Sequence, residues 1–156
     1  MENNLSFSLV VSKSPEYVYK AINNVSAWWS EDFKGKSQQP NDEFEVRFAD
    51  VHYSKHTVEE LVPGKKVVWL TTDSHLSFLE DKAEWTGTRI IFDIQPQNGK
   101  TSITFTHIGL TPACECFKDC NNGWMHYLEG SLVPLIEKGK GQPNVLDEEV
   151  AKKSAQ

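Results

Sequence analysis

This sequence lacks a long apolar run and every feature of an export signal. No stretch approaches the roughly 18 consecutive apolar residues that a membrane-spanning helix needs. The first residues, Met1 to Ser14, have no basic start, no long apolar segment and no small-residue cleavage site. We therefore expect a cytoplasmic protein that does not enter a membrane.

Cysteine is also scarce, with only Cys114, Cys116 and Cys120 in 156 residues. An odd number crowded into seven positions is a poor disulfide framework and is typical of a reducing compartment. Cys116 and Cys120 share a helix face, and His107 or His126 would have to complete a zinc site. The spacing is not a standard zinc signature. We expect small buried residues on a helix, with no metal and no cofactor.

Strong charge of one sign is absent as well, since the formal net charge is only −6. This value argues against nucleic acid or an anionic membrane as a partner. The hydrophobic share of 38% and charged share of 24% are those of an ordinary globular chain. We expect one domain over residues 1–140, followed by a polar tail over residues 141–156.

The clearest pattern that is present lies between Pro112 and Gly139. Apolar residues recur there at spacings of three or four, which predicts one long helix with a single apolar stripe. Thr111 and Pro112 suit its start, and Gly139 suits its end. Gly123 and Pro134 fall inside the pattern, where each should weaken or bend the helix. The stripe consists of Phe117, Cys120, Trp124, Leu128, Leu132 and Leu135.

Most of the preceding chain reads as strands. Residues 5–11 alternate as a first strand, and Ser14 with Pro15 then opens a short helix, which a second helical turn follows at residues 25–29. We expect residues 34–42 to be a loop and find no dominant period in residues 73–86. About six further strands follow the helices, most clearly at residues 44–48, 51–62, 66–72, 88–95 and 100–108.

This order predicts an α+β fold with a curved antiparallel sheet of about seven strands wrapped on a long C-terminal helix. Two short helices follow the first strand. Such a sheet must bury one face, and the long helix is the only cover large enough. Sheets that curl around one helix leave a space between them, so we look for function there.

Five segments of the chain carry a resemblance to a known family: Ser14–Tyr19, Trp28–Trp29, Val58–Trp69, Thr104–Leu110 and Gly123–Leu132. In these segments the sequence resembles the START-like, or SRPBCC, superfamily, whose helix-grip fold is shared with birch-pollen allergens and polyketide cyclases. Within it, the chain is similar to the bacterial proteins named after the activator of the ninety-kilodalton heat-shock ATPase. The resemblance implies a hydrophobic pocket between helix and sheet that holds a lipid or another small ligand.

The inward strand faces and the helix stripe should line this pocket. Five tryptophans exceed what a small core needs, and apolar cavities use aromatic rings as walls. For any single aromatic, core packing is the more common role. Two adjacent tryptophans cannot both point into one shallow core, so one should border a cleft. The predicted lining is Trp28, Trp29, Phe33, Phe44, Phe48, Trp69, Trp85, Phe105, Trp124 and Leu128, with His107, Tyr127 and Ser131 as its polar members.

These polar residues decide whether the pocket performs chemistry. His107 lies on the same strand face as Phe105, and His beside Tyr or Ser can act as a general base. A buried histidine bonded across the sheet is the reading we favour. No nucleophile elbow, zinc-protease motif or phosphate-binding loop appears. The sequence thus offers a cavity without a catalytic constellation.

The leading hypothesis is binding of a small hydrophobic or amphipathic ligand, lipid-like or polyketide-like. The first alternative is a cyclase or hydrolase that uses His107 as proton carrier. The second is an accessory module for a chaperone or another protein. The domain stands alone in this chain, without the segment that carries chaperone contacts in the eukaryotic activator, so we do not expect chaperone activation. The sequence leaves open whether the protein forms a homodimer.

Overall fold

A seven-stranded antiparallel sheet with helices on one face makes up the fold. The computed structural model describes residues 4–48, 52–77, 79–80 and 82–144. The strands are β1 (Leu5–Val11), β2 (Phe33–Gly35), β3 (Glu43–Phe48), β4 (His52–Val62), β5 (Lys66–Leu76), β6 (Arg89–Gln97) and β7 (Lys100–Ile108). The helices are α1 (Pro15–Asn23), α2 (Val25–Trp28), α3 (Phe117–Tyr127) and α4 (Val133–Lys138), with a π-helical segment, Leu128–Leu132, between the last two.

The strand order is β1-β7-β6-β5-β4-β3-β2, so the first strand pairs with the last. The predicted α+β helix-grip architecture is confirmed. Alternation explains the sheet: in β1, Leu5, Leu9 and Val11 are buried, while the residues between them are more exposed. Ser14 begins α1 as predicted, because its hydroxyl accepts a hydrogen bond from the Tyr17 amide at 3.2 Å.

The largest differences from the predicted strand boundaries lie at β2 and β5, while β3 and β6 differ from their predicted bounds by one or two residues. The predicted loop over residues 34–42 begins with strand residues, because β2 pairs with β3 through Phe33 opposite Val46 and Gly35 opposite Phe44. β5 continues to Leu76, four residues beyond the predicted end, because β4 is long enough to pair with it there. Val51, the predicted first residue of β4, lies outside the described residues.

The long C-terminal helix is confirmed, but its predicted start at Thr111 and Pro112 is wrong. Residues 112–116 form turns, and the helix begins at Phe117. A carboxylate from another loop replaces a local cap, because Glu84 accepts the amides of Glu115 at 2.7 Å and Cys116 at 2.9 Å.

The far end of this helix behaves as predicted. Gly139 ends it in the left-handed conformation, with φ 82°. Before Pro134 the helix widens, and the Val133 amide donates to the Leu128 carbonyl five residues back. This wider turn is the bend that the sequence predicted at Pro134, because proline has no amide hydrogen to donate to the preceding turn.

The beginning of the predicted tail packs against the domain. The Asn144 side chain donates to Ser30 and to the Arg47 carbonyl, both at 3.2 Å, and the Gln142 amide donates to Ser131 at 2.7 Å. Residues 145–156 lie outside the described residues, so the boundary at residue 140 stays a prediction. Within the described ranges, no helix is long and apolar enough to cross a membrane.

Candidate functional site

A pocket with a volume of about 230 Å³ opens between α3 and the inner face of the sheet. Aromatic rings form most of its wall, and a single carboxylate lies at its edge. The lining residues are Trp29, Phe48, His52, Trp85, Asp119, Cys120, Gly123, Trp124 and Tyr127.

One face of α3 supplies more than half of this lining. Asp119, Cys120, Gly123, Trp124 and Tyr127 follow one another at spacings of one, three or four residues, which places them on one side of the helix. Gly123 is near the middle of this arc, and a Cβ built on it would meet no atom within 4 Å. The glycine therefore leaves open the space that a side chain would occupy.

The opposite wall is built around Trp29, which is 3% exposed. Its ring centroid lies 5.0 Å from that of Trp124 and 6.4 Å from that of Trp85, and the three rings are within 22° of parallel. On its other side Trp29 stacks on Trp69 and Trp28, at 6.1 and 6.0 Å. Trp29 thus joins the pocket wall to the packed core.

The structure brings some of the predicted site residues to the pocket and leaves others behind it. Trp29, Phe48, Trp85, Trp124 and Tyr127 line the pocket. The remaining members do not line this pocket, and their role in binding stays a prediction; all of them are buried except Phe33, which is half-buried on the edge strand β2. They are Trp28, Phe33, Phe44, Trp69, Phe105, His107, Leu128 and Ser131.

Two of these interior residues show why they do not reach the pocket. The Trp28 indole donates to the Ile22 carbonyl at 3.0 Å, which holds the ring in the core. The Ser131 hydroxyl donates to the Trp28 carbonyl at 2.6 Å and accepts from the Gln142 amide. Both polar groups are thus used within the fold.

His107 is fully buried and lies in a closed chain of hydrogen bonds. The Trp124 indole donates to its Nδ1 at 3.1 Å, so this nitrogen carries no hydrogen. The hydrogen is therefore on Nε2 and is donated to the Thr88 hydroxyl at 2.8 Å. Thr88 in turn donates to the Trp85 carbonyl at 2.6 Å.

This chain argues for a structural histidine. Burial lowers the pKa of His107 to about 3, with a smaller contribution from His52, so the ring is neutral near pH 7. Both ring nitrogens are already engaged, and the side chain does not line the pocket. A proton carrier needs a nitrogen that can reach the reacting group, which His107 lacks here.

A second histidine chain, which the sequence analysis missed, begins on β4. His52 lines the pocket, and its Nε2 lies 2.9 Å from the Ser54 hydroxyl. The same hydroxyl lies 2.9 Å from Nε2 of His56, whose Nδ1 is 3.0 Å from the Thr71 hydroxyl. The signal was the alternation of β4: with Tyr53 facing outward, its neighbours on either side face inward.

Burial lowers the pKa of His52 and, more strongly, that of His56, whose pKa the neighbouring histidines lower further. Both rings are consequently neutral near pH 7. Asp119, at the mouth of the pocket, is exposed. The pocket therefore offers aromatic surface, neutral imidazole and one solvated carboxylate.

The cysteines differ from the expectation. Cys116 and Cys120 are buried at the start of α3 as predicted, but they are joined as a disulfide, with Cα atoms 5.5 Å apart. One helical turn brings their Cβ atoms together, which the count of cysteines does not reveal. The argument for a reducing compartment therefore loses its support. Cys114 is free, and the Trp85 indole donates to Cys120 Sγ at 3.4 Å.

Within the part of the chain that the structure describes, no group of three or more His, Cys, Asp or Glu side chains is placed to hold a metal ion. A second, wider groove of about 700 Å³ lies at the turn between β4 and β5. Its lining is mostly loop and charged residues, in contrast to the aromatic wall beneath α3.

Solved structures share this fold. One, the Aha1 dimer from Colwellia psychrerythraea, is 25% identical, has a TM-score of 0.72, and covers 89% of this chain and 99% of its own. A protein from Chromobacterium violaceum is 22% identical, with a TM-score of 0.61 and coverage of 86% and 98%. A protein of the dynemicin biosynthetic locus is 13% identical, with a TM-score of 0.65, and covers 94% of this chain but 52% of its own.

No curated protein sequence matches the chain. Residues 13–137, which span the fold from the end of β1 to α4, match the family described as activator of Hsp90 ATPase homolog 1-like protein. The helix-grip architecture agrees with this match. The chain belongs to the activator of Hsp90 ATPase homolog 1-like family, within the START-like superfamily.

Proposed function

We propose that this protein binds a small, mainly apolar or aromatic molecule in the pocket beneath α3. The observation that carries the proposal is the pocket wall, where Trp29, Trp85 and Trp124 are joined by Phe48 and Tyr127. Aromatic walls with a few polar groups are typical of small-molecule sites. The family match, and a structural neighbour from the dynemicin biosynthetic locus, fit a ligand-binding domain.

The size of the pocket limits which ligands can fit into it. Pockets for drug-sized ligands occupy about 300–1,000 Å³. This pocket, at about 230 Å³, is smaller. One or two fused rings fit such a volume, whereas a long acyl chain does not. We therefore favour a compact aromatic compound, such as a polyketide fragment, over a lipid.

Neither alternative function gains an observation of equal weight. The enzyme hypothesis relied on His107, whose nitrogens are both engaged by Trp124 and Thr88. The accessory hypothesis requires an apolar surface patch. The large exposed apolar side chains among the described residues lie singly on four elements: Val10 on β1, Tyr17 on α1, Ile108 on β7 and Met125 on α3.

Location and assembly remain predictions. We expect the protein in the cytoplasm, and a homodimer is consistent with the dimer named for the Colwellia protein. Sedimentation of the purified protein at several concentrations decides between monomer and dimer. Retention of the protein in the cytoplasmic fraction of cells tests the location.

The sharpest test of binding uses Gly123, which lines the pocket and where a Cβ would meet no other atom within 4 Å. Gly123→Leu should block the ligand and leave the fold intact. Gly130→Ala is the matched control, since it also replaces a helical glycine but lies outside the pocket lining. Both variants and the natural chain are purified and analysed by native mass spectrometry, followed by solvent extraction.

We expect a small molecule that accompanies the natural chain and Gly130→Ala and is lost from Gly123→Leu. If a molecule accompanies all three proteins equally, the pocket is not its site. If none accompanies the natural chain, titration with α-methylstyrene, followed by tryptophan fluorescence, replaces the extraction. Failure of both α-methylstyrene and its ketone analogue acetophenone to bind, up to the limit of their solubility, contradicts the proposal.

A further inference from the structure

The histidine chain on β4 and β5 fixes what the pocket can recognise. Its members are Thr71, His56, Ser54 and His52, in that spatial order, with contacts of 3.0, 2.9 and 2.9 Å. Thr71, His56 and Ser54 are fully buried, while His52 is half-buried and reaches the pocket. Three members are therefore closed off from water, and the fourth is the end that a ligand can touch.

The buried end sets the direction of the hydrogen bonds. Among the described residues, the only acceptor within reach of the Thr71 hydroxyl hydrogen is Nδ1 of His56. A buried hydroxyl hydrogen without an acceptor is costly, so Thr71 donates to His56. His56 Nδ1 consequently carries no hydrogen.

The remaining steps follow from the number of hydrogens. A neutral imidazole carries one hydrogen, which in His56 must be on Nε2 and is donated to the Ser54 oxygen. Ser54 has one hydrogen of its own and donates it to Nε2 of His52. The single hydrogen of neutral His52 is then on Nδ1. Burial supports the neutral forms, because it lowers the pKa of both histidines.

The reverse direction is unfavourable. It would begin with His52 Nε2 donating to Ser54 and would end with His56 Nδ1 donating to Thr71. The Thr71 hydrogen would then have no acceptor among the described residues, and this residue is 0% exposed. The forward direction leaves only one group unpaired, and that group is Nδ1–H of His52, at the pocket.

We propose that His52 presents its Nδ1–H to the pocket as a fixed hydrogen-bond donor, and that the ligand is a compact aromatic molecule with a carbonyl or similar acceptor oxygen. This inference rests on the proposed function of the pocket. No described residue accepts a hydrogen bond from Nδ1, so the donor is available to a ligand. A bound acceptor pairs with it, whereas a purely apolar ligand leaves it without a partner.

The tautomers are tested first, without any ligand. Long-range proton–nitrogen NMR of the ¹⁵N-labelled protein assigns the hydrogen of each imidazole. We expect it on Nδ1 of His52 and on Nε2 of His56. A hydrogen on Nε2 of His52 overturns the proposal and leaves the function of the pocket untouched.

Two variants test the cause of this tautomer. In Thr71→Val either direction leaves one buried group unpaired, so the Nδ1–H population of His52 should fall. Thr71→Ser keeps the hydroxyl and should retain it. An unchanged His52 spectrum in folded Thr71→Val contradicts the chain as the origin of the donor.

The ligand class is tested with a matched pair, acetophenone and α-methylstyrene, in which C=O replaces C=CH₂ at nearly the same shape. One added hydrogen bond corresponds to roughly three- to ten-fold tighter binding, so acetophenone should bind the natural chain that much more tightly. His52→Phe keeps a ring in place and should bind both compounds about equally. Equal affinities in the natural chain overturn this inference alone, whereas binding of neither compound overturns the proposed function with it.

Discussion

The interior between helix and sheet has a packed half and an open half, and Trp29 contacts both. In the packed half, the Phe92 ring meets Trp69 at 5.3 Å and Trp28 at 6.0 Å between centroids, and all three side chains have no exposed surface. In the open half, Phe48 and Tyr127 are only half-buried and border the pocket. Aromatic residues of the same type thus form the packed core on one side and the wall of the pocket on the other.

The two histidine hydrogen-bond chains differ in the same way: one is closed within the packed interior, and the other reaches the pocket. The chain through His107 ends on the Trp85 carbonyl, so every hydrogen in it has an acceptor within the fold. The chain through His52 ends at the pocket with one group unpaired. A count of partners therefore separates a structural histidine from a ligand-facing one, whereas a lowered pKa, which both share, does not.

The largest expected effect contrasts the two halves directly. Phe92→Ala removes a fully buried ring and should lower the free energy of unfolding by about 3–5 kcal/mol. Phe48→Ala removes a half-buried ring at the pocket and should cost about 1 kcal/mol, because solvent already reaches it. Urea unfolding of both variants measures the difference. Equal losses would show that the pocket wall is packed as tightly as the core.

A smaller effect is expected where the closed chain is broken. Thr88→Val leaves His107 Nε2–H without a partner, which should cost about 1–3 kcal/mol of stability, while the Trp85 carbonyl still accepts the backbone amide of residue 88. Thr88→Ser keeps the hydroxyl oxygen and should retain most of that stability. Comparison of their urea midpoints is the measurement. If valine and serine behave alike, the hydroxyl does not stabilise the buried histidine.

Acid should act through the same residue, and His52 and His56, whose pKa values burial also lowers, add to the loss of stability in the same pH range. The pKa of His107 is about 3 in the folded protein. In the unfolded chain it is about 6.5, so the unfolded state binds the extra proton between these values. The stabilisation is complete above about pH 6.5 and is lost as the pH falls, at about 1 kcal/mol for His107 by about pH 5.5.

Urea unfolding between about pH 7.5 and pH 5.5 measures this loss, and the exposed His126→Gln variant serves as the control that should follow the natural chain. The His107 ring resonance should stay that of a neutral imidazole while the protein remains folded. Titration of that resonance near pH 6.5 in the folded protein would contradict a closed chain.

Local patterns predicted the fold well because they are set by neighbours in the chain. Alternation placed β1, β3 and β7, and the stripe that begins at Phe117 predicted the C-terminal helix. The start of that helix was missed because Glu84, in a different loop, caps it through the amides of residues 115 and 116. A cap supplied from more than thirty residues away leaves no signature beside the helix.

The site was less predictable, because whether a residue lines the pocket depends on which other side chains cover it. Trp85 and Phe105 are similar as sequence signals, yet one borders the pocket and the other is covered by Phe92 and Trp124. His52 was overlooked because alternation in a strand as polar as β4 does not show which of its two faces is buried. The inward-facing polar side chains of β4 form hydrogen bonds with one another and with Thr71 on β5. Only the register of β4 against β5 reveals this.

The π-helical segment at residues 128–132 also determines how the two ends of the C-terminal helix are oriented relative to each other. A π turn holds one residue more than an α turn, so the extra residue is accommodated within one wide turn. Deleting one residue from this segment would restore α-helical winding and leave α3 and α4 facing as they do now. Gly123 would stay at the pocket and Gly139 at the end of the helix. A single-codon deletion should therefore be tolerated in this segment, whereas the same deletion within α3 would turn its pocket-lining face away by about 100°.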